Sequence, residues 1–297
     1  MVLDEERKNW SYFPIEHSEI EDMYQAQVAA FWTKGDLLFT DSADDMALLD
    51  DAQEQLLHGV LAVFAQFDGL VSEKVDGFNE HPEVKKIKEA VRFFRAQNLI
   101  ETIHGEVYGL MIIHYVSTEN KRQELMNAAT SIPVVKKLAD WIVKESNTDN
   151  LLKTIFVNVL AEGVMFQGLF AIIFWFRKVY KGKFIALTKG NELISRDEDL
   201  HATFALLLIS VLSKMFEKAK THTDWLAWLG DRTEVVRMVE ELIEILTEFY
   251  EYFLPQQILD LNSQSLINYT KVWANIVLMA IGHNPRYDAT NSLEFMD

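Results

Sequence analysis

Apolar residues return along this chain every three or four positions, the spacing that gives an α-helix one oily face. Leu56, Leu57, Val60, Phe64, Phe67 and Val71 trace such a face and predict a helix over 50–75. An earlier helix is expected over 18–32, opened by a Ser-x-x-Glu capping box at Ser18 and Glu21 and terminated by Gly35. A third begins behind Pro82, a residue suited to a first helical turn, and runs through Val116 with no breaker except Gly105 and Gly109. Residues 120–130 and 134–146 read as a shorter, more polar pair around Pro133. Long helices follow over 150–180 and 189–220, parted by Lys181, Gly182 and Lys183. Two more cover 232–254 and 263–281, the last closed by Gly282 in the position of a C-cap.

Composition agrees with that pattern. Twelve glycines and five prolines in 297 residues leave few sites for turns, so the fold class is all-α. No linker rich in Pro, Gly or Ser divides the chain, and one domain over 1–297 is the economical reading. The opening MVLDEERKNW is acidic and lacks the apolar core of a secretory signal. The longest apolar stretch, 164–176, is 13 residues including Gln167 and Gly168, short of a membrane span. A soluble, cytoplasmic protein without membrane contact is expected. A net charge of −17 with no local basic patch speaks against a nucleic-acid partner. The absence of cysteine excludes disulfides, zinc fingers, iron–sulfur clusters and a thiol nucleophile. Histidine, aspartate and glutamate remain as the strong metal ligands.

Two of the eight histidines follow a glutamate by three positions, His104 after Glu101 and His201 after Glu198. On a helix that spacing aims carboxylate and imidazole at one point. Both pairs lie in long apolar helices, where buried charge is costly without a counter-ion, and a shared cation is an efficient one. The other two long helices contribute Asp68 and Glu162, again in apolar settings. Asp68 precedes Glu101 by 33 residues and Glu162 precedes Glu198 by 36, with helix breakers near both midpoints. Each half therefore reads as a helical hairpin with one carboxylate on its first arm and a Glu-x-x-His on its second. Packed antiparallel, two such hairpins bring four carboxylates and two imidazoles to the centre of a four-helix bundle. That donor set is the one used by ferritin-like di-iron and di-manganese proteins, and it suits iron or manganese alike. Taken singly, His104 and His201 would be core histidines; the repeated arrangement turns the reading to metal. His17, His58, His81, His114, His222 and His283 have no such spacing and read as structural or surface residues, and the acidic run Glu240, Glu241, Glu244 and Glu248 as solvated surface.

Several longer stretches carry a family resemblance: Phe31-Trp32, FDGLVSE at 67–73, ETIHGEVYGL at 101–110, AEGVMFQGLFAIIFW at 161–175 and NELISRDEDLH at 191–201. In this order they resemble the radical-generating small subunit of class I ribonucleotide reductase, of the eukaryotic and viral type. The resemblance implies a homodimer with a ferritin-like core. It places one metal on Asp68, Glu101 and His104 and the other on Glu162, Glu198 and His201, with Glu101 and Glu198 as bridges. It makes Tyr108 the radical residue beside two iron ions, manganese being an alternative. Phe166, Phe170 and Ile194 would form the insulating pocket. Reducing dioxygen takes more electrons than two ferrous ions and one tyrosine hold, and a relay of Trp32, Asp197 and His104 would bring another from outside. The same relay would carry the radical to a large subunit, where cysteines reduce the nucleotide. Family members continue into a tail with a redox tyrosine and an acidic, aromatic C-terminus, whereas here no tyrosine follows Tyr287, so weak docking of this chain alone is expected. Two other readings differ in what they require. A related di-metal oxidase acting on a small or lipid-like ligand needs a tunnel to the metals, and a non-catalytic helical interaction protein needs no metal.

Overall fold

The computed structural model describes residues 11–40 and 43–296; the opening segment MVLDEERKNW lies outside them. Among the described residues the regular structure is helical apart from one isolated bridge between Ile258 and Leu261. The long elements are α1 (Ser18–Ala29), α2 (Asp51–Glu80), α3 (Lys88–Tyr115), α4 (Pro133–Ser146), α5 (Leu151–Val179), α6 (Ile185–Ala219), α7 (Thr223–Gly230), α8 (Arg232–Phe253) and α9 (Ser263–Ala280).

Several ends differ from the sequence expectation for local reasons. Ser18 is the first residue of α1 and caps nothing, because the N-cap is His17 and no side chain bonds the free amides. Glu21, the expected partner, instead meets Arg92 on α3 at 2.7 Å and accepts from Gln25. A complete capping box does open α2, where Asp50 and Gln53 exchange bonds. The expected continuous helix behind Pro82 is a short turn, Pro82–Lys85, and then α3. Between them Ile87 takes an extended backbone and buries its side chain in the core. Helix α7 was not visible in the periodicity. It stands apart from α6 because Lys220 and His222 both adopt left-handed backbone angles. Gly182 and Gly282 have positive φ and end the segments expected of them.

Helices α2 and α3 pack on one another as the first hairpin, α5 and α6 as the second. Contacts of α3 with α6 and of α2 with α5 close the four into a bundle, and α1 lies across α3 and α6. On the far side α9 presses against α5, and α8 packs on α9, α4 and α2. A Cβ on Gly168 of α5 would stand 2.5 Å from Thr270 Oγ1, so glycine is what allows α9 this near. By length and composition α2, α5 and α6 could each cross a membrane, more than the 13-residue run suggested. In α5, however, 94% of the apolar window is buried inside the protein, so the bundle core accounts for its composition.

Within α5, residues Ala161–Met165 widen into a π-helical turn, fully buried and containing Glu162. Such a turn adds a residue to the helix and re-aims the side chains that follow, and it is frequent at functional sites.

Candidate metal centre

The six expected side chains meet at the middle of the bundle. Asp68 comes from α2, Glu101 and His104 from α3, Glu162 from the π turn of α5, and Glu198 and His201 from α6. None is more than 2% exposed. Glu101, Glu162, Glu198 and His201 each present a ligand atom within 4.8 Å of the others. His104 Nδ1 lies 2.9 Å from Glu198 and 3.5 Å from Glu101. His201 Nδ1 lies 3.0 Å from Glu101 and 3.6 Å from Glu198. Glu101 and Glu198 thus each stand between both imidazoles, where bridging ligands belong, with Asp68 and Glu162 as the remaining carboxylates.

Hydrogen bonding shows that these groups are organised for something other than each other. Among the described residues fifteen buried side-chain nitrogen and oxygen atoms lack a hydrogen-bond partner, and eight of them are here. They are both oxygens of Asp68, both of Glu198, one each of Glu101 and Glu162, and Nδ1 of His104 and His201. Leaving so many polar atoms unpaired in one core would be costly. Four carboxylates and two neutral imidazoles match two divalent cations in charge and in donor type. The residues fit a di-metal carboxylate site.

Electrostatics expresses the same tension. Burial, with Glu198 and Glu101 nearby, pushes the Asp68 carboxyl well above the usual range, and burial with Glu198 does so for Glu162. Burial also opposes the Glu101 anion, but the imidazoles of His201 and His104 outweigh it and hold this carboxyl at about 2. Burial opposes the His201 cation, yet Glu101 and Glu198 carry the ring up to about 10. Protons thus balance the cluster in the absence of metal, and metal uptake must displace them.

Behind each imidazole stands a polar partner. His104 Nε2 lies 3.2 Å from Asp197 Oδ2, which also accepts from Trp32 Nε1 at 2.6 Å. This contact leaves the proton on Nε2 and frees Nδ1 for a metal. Trp32 is 6% exposed and its ring stacks on His104 with centroids 5.9 Å apart, so Trp32, Asp197 and His104 form one connected path from the edge of the protein. His201 Nε2 faces the Gln27 amide at 3.0 Å. The Gln27 oxygen is buried and otherwise unpartnered, so it accepts the Nε2 proton once the amide presents that end.

Tyr108 lies one turn beyond His104 on α3 and is fully buried. Burial first, then Asp68, Glu198 and Glu101, raise its pKa well above the ordinary value, which keeps it a phenol. It donates to Asn191 Oδ1 at 2.7 Å, and Asn191 in turn donates to the Leu187 carbonyl at 2.8 Å. The ring of Phe64 lies parallel to it at 4.7 Å, and Phe166 and Phe170 pack on Phe64 at 5.2 and 4.8 Å. Ile194 is fully buried on α6.

The family description "Ribonucleotide reductase, small chain" matches residues 9–292. The chain belongs to the ribonucleotide reductase small-chain family. It is 31% identical over its whole length to the ribonucleoside-diphosphate reductase small chain of Plasmodium falciparum (isolate Dd2), covering 80% of that protein. Its fold is similar to that of the dimanganese(II)-NrdF of Streptococcus sanguinis, at 18% identity and a TM-score of 0.77, covering 96% of each chain. It is also similar to the Rnr4 homodimer of Saccharomyces cerevisiae, at 22% identity and a TM-score of 0.74, covering 96% of this chain and 86% of that one. The ferritin-like bundle and the buried carboxylate centre are therefore those of a ribonucleotide reductase small subunit. Four residues of this small subunit's centre escaped the sequence reading: Gln27, Phe64, Gln97 and Asn191. Gln97, one turn before Glu101, and Asn191, two turns before Glu198, had helical spacing as a signal; Gln27 had none.

Proposed function

We propose that this small subunit generates and stores a tyrosyl radical at Tyr108 in the cytoplasm and lends it to a large subunit for reduction of ribonucleotides. The observation that carries this reading is a fully buried phenol one helical turn from a metal-ligating imidazole, walled by Phe64 with Phe166 and Phe170 behind it. Two iron ions bound by Asp68, Glu101, His104, Glu162, Glu198 and His201 would supply a strong oxidant by reducing dioxygen. Asn191 holds the phenol O–H, and the apolar wall keeps water and reductants from the ring. Trp32, Asp197 and His104 give electrons a hydrogen-bonded and stacked route between the centre and the protein edge. With no cysteine in the chain, the thiols that ribonucleotide reduction consumes must sit on the partner. The Rnr4 homodimer supports a homodimeric assembly here as well.

The test is to load metal-free protein anaerobically with ferrous iron, admit oxygen and record electron paramagnetic resonance spectra. Wild type gives a tyrosyl signal and Tyr108→Phe gives none. A silent wild type, or the same signal in the variant, would reject the assignment.

A further inference from the structure

Gln97 links the two hairpins inside the centre. It lies on α3 one turn before Glu101, is 1% exposed, and its Nε2 donates to two carboxylates. One is Glu101 Oε1 at 3.1 Å, on its own hairpin; the other is Glu162 Oε1 at 3.0 Å, on the second. In both carboxylates the untouched oxygen, Oε2, is buried without a partner. Asp68 and Glu198, which Gln97 does not reach, have both oxygens unpartnered. The four carboxylates are thus of two kinds, and the Gln97 amide bonds both members of one kind.

We propose that Gln97 is a positioning residue: its amide ties Glu162 Oε1 on one hairpin to Glu101 Oε1 on the other and so fixes the direction in which Glu162 presents Oε2 to its metal. A donated N–H to a carboxylate is a charge-assisted bond, strong where water is excluded. Without it, Glu162 loses its tie to the first hairpin, and its Oε1 is free to swing toward the cation as a second ligand atom. Asn158, one turn earlier on α5, also bonds the Glu162 side chain, but it belongs to the same helix and does not tie the two hairpins. Glu162 stands in the π turn at Ala161–Met165, where the widened helix re-aims its side chain, and the clamp acts on that side chain. Through the same nitrogen, Gln97 also sets the separation of Glu162 from the bridging Glu101. A metal pair held in this way keeps one coordination position from being filled by protein.

The inference rests on the metal centre alone, so its test needs neither oxygen nor a radical and stays separate from the fate of Tyr108. Metal-free wild type, Gln97→Met and Gln97→Asn are titrated anaerobically with ferrous iron, reading near-infrared circular dichroism, whose bands report coordination number. Manganese(II) binding isotherms are recorded beside them. Methionine removes the donor at similar volume; asparagine keeps the amide but draws it out of reach, and carries the test if the methionine variant folds poorly. Both variants are expected to shift the bands of one ferrous ion toward higher coordination and to change the affinity for one manganese equivalent by about tenfold or more. Loss of one ion with the metal-free melting curve in place counts the same way. Spectra and isotherms superimposable on wild type would overturn the proposal.

Discussion

Replacing Glu198 by alanine should abolish the dinuclear centre, reducing bound metal from two ions to at most one and removing most of the thermal stabilisation that metal provides. Glu198 is fully buried, lies within 3.6 Å of both imidazoles, and has both oxygens free of hydrogen bonds. Metal that binds only the folded chain stabilises it by roughly 4 kcal/mol per site at a thousandfold excess over Kd. A chain of 297 residues loses on the order of 0.6 kcal/mol of stability per degree near its melting point. Two sites should therefore raise the wild-type melting temperature by about 13 °C. Differential scanning calorimetry with and without manganese(II) measures this directly. Wild type should show the rise and Glu198→Ala only a small part of it; equal rises would contradict the bridging assignment.

The second large effect is expected from Asp197→Asn. One carboxylate oxygen of Asp197 serves both Trp32 and His104, at 2.6 and 3.2 Å, and the other faces Arg196 at 3.4 Å. The carboxylate charge increases the basicity of the ligating imidazole, and groups in this position typically govern 10- to 100-fold in metal affinity. An amide of the same shape can still accept both N–H groups but carries no charge. Metal affinity should thus fall by about one to two orders of magnitude, while the metal-free protein melts close to wild type. Equilibrium titration with manganese(II) gives the affinity. Unchanged affinity would mean that Asp197 only orients the ring. If the relay operates as proposed, a reconstituted Asp197→Asn protein should also fail to pass its radical to a large subunit.

Much of this centre was legible in the sequence because its ligands obey helical spacing. Glu101 with His104 and Glu198 with His201 each sit three apart, and the two long intervals to Asp68 and Glu162 are nearly equal, so two hairpins could be read from four acids. The π turn was not legible. From Leu151 to Phe176 nearly every residue of α5 is buried, and a helix that is apolar all round has no stripe whose period can reveal an extra residue. Ser18 shows the opposite failure, a local motif overridden when Glu21 found Arg92 on another helix. Gln27 was invisible because its role depends on a contact with a residue 174 positions away. The acceptor for the Tyr108 hydroxyl was not legible either: the amide of Asn191, on another helix, takes that bond and leaves both oxygens of Asp68 for metal.

Six buried side chains are expected to hold two metal ions. Anomalous diffraction from crystals of the metal-free protein soaked in manganese(II) tests it most directly. Two peaks about 3.5–4 Å apart are predicted, one beside Asp68 and His104 and the other beside Glu162 and His201, with Glu101 and Glu198 between them. A single peak, no peak, or manganese bound elsewhere would contradict it.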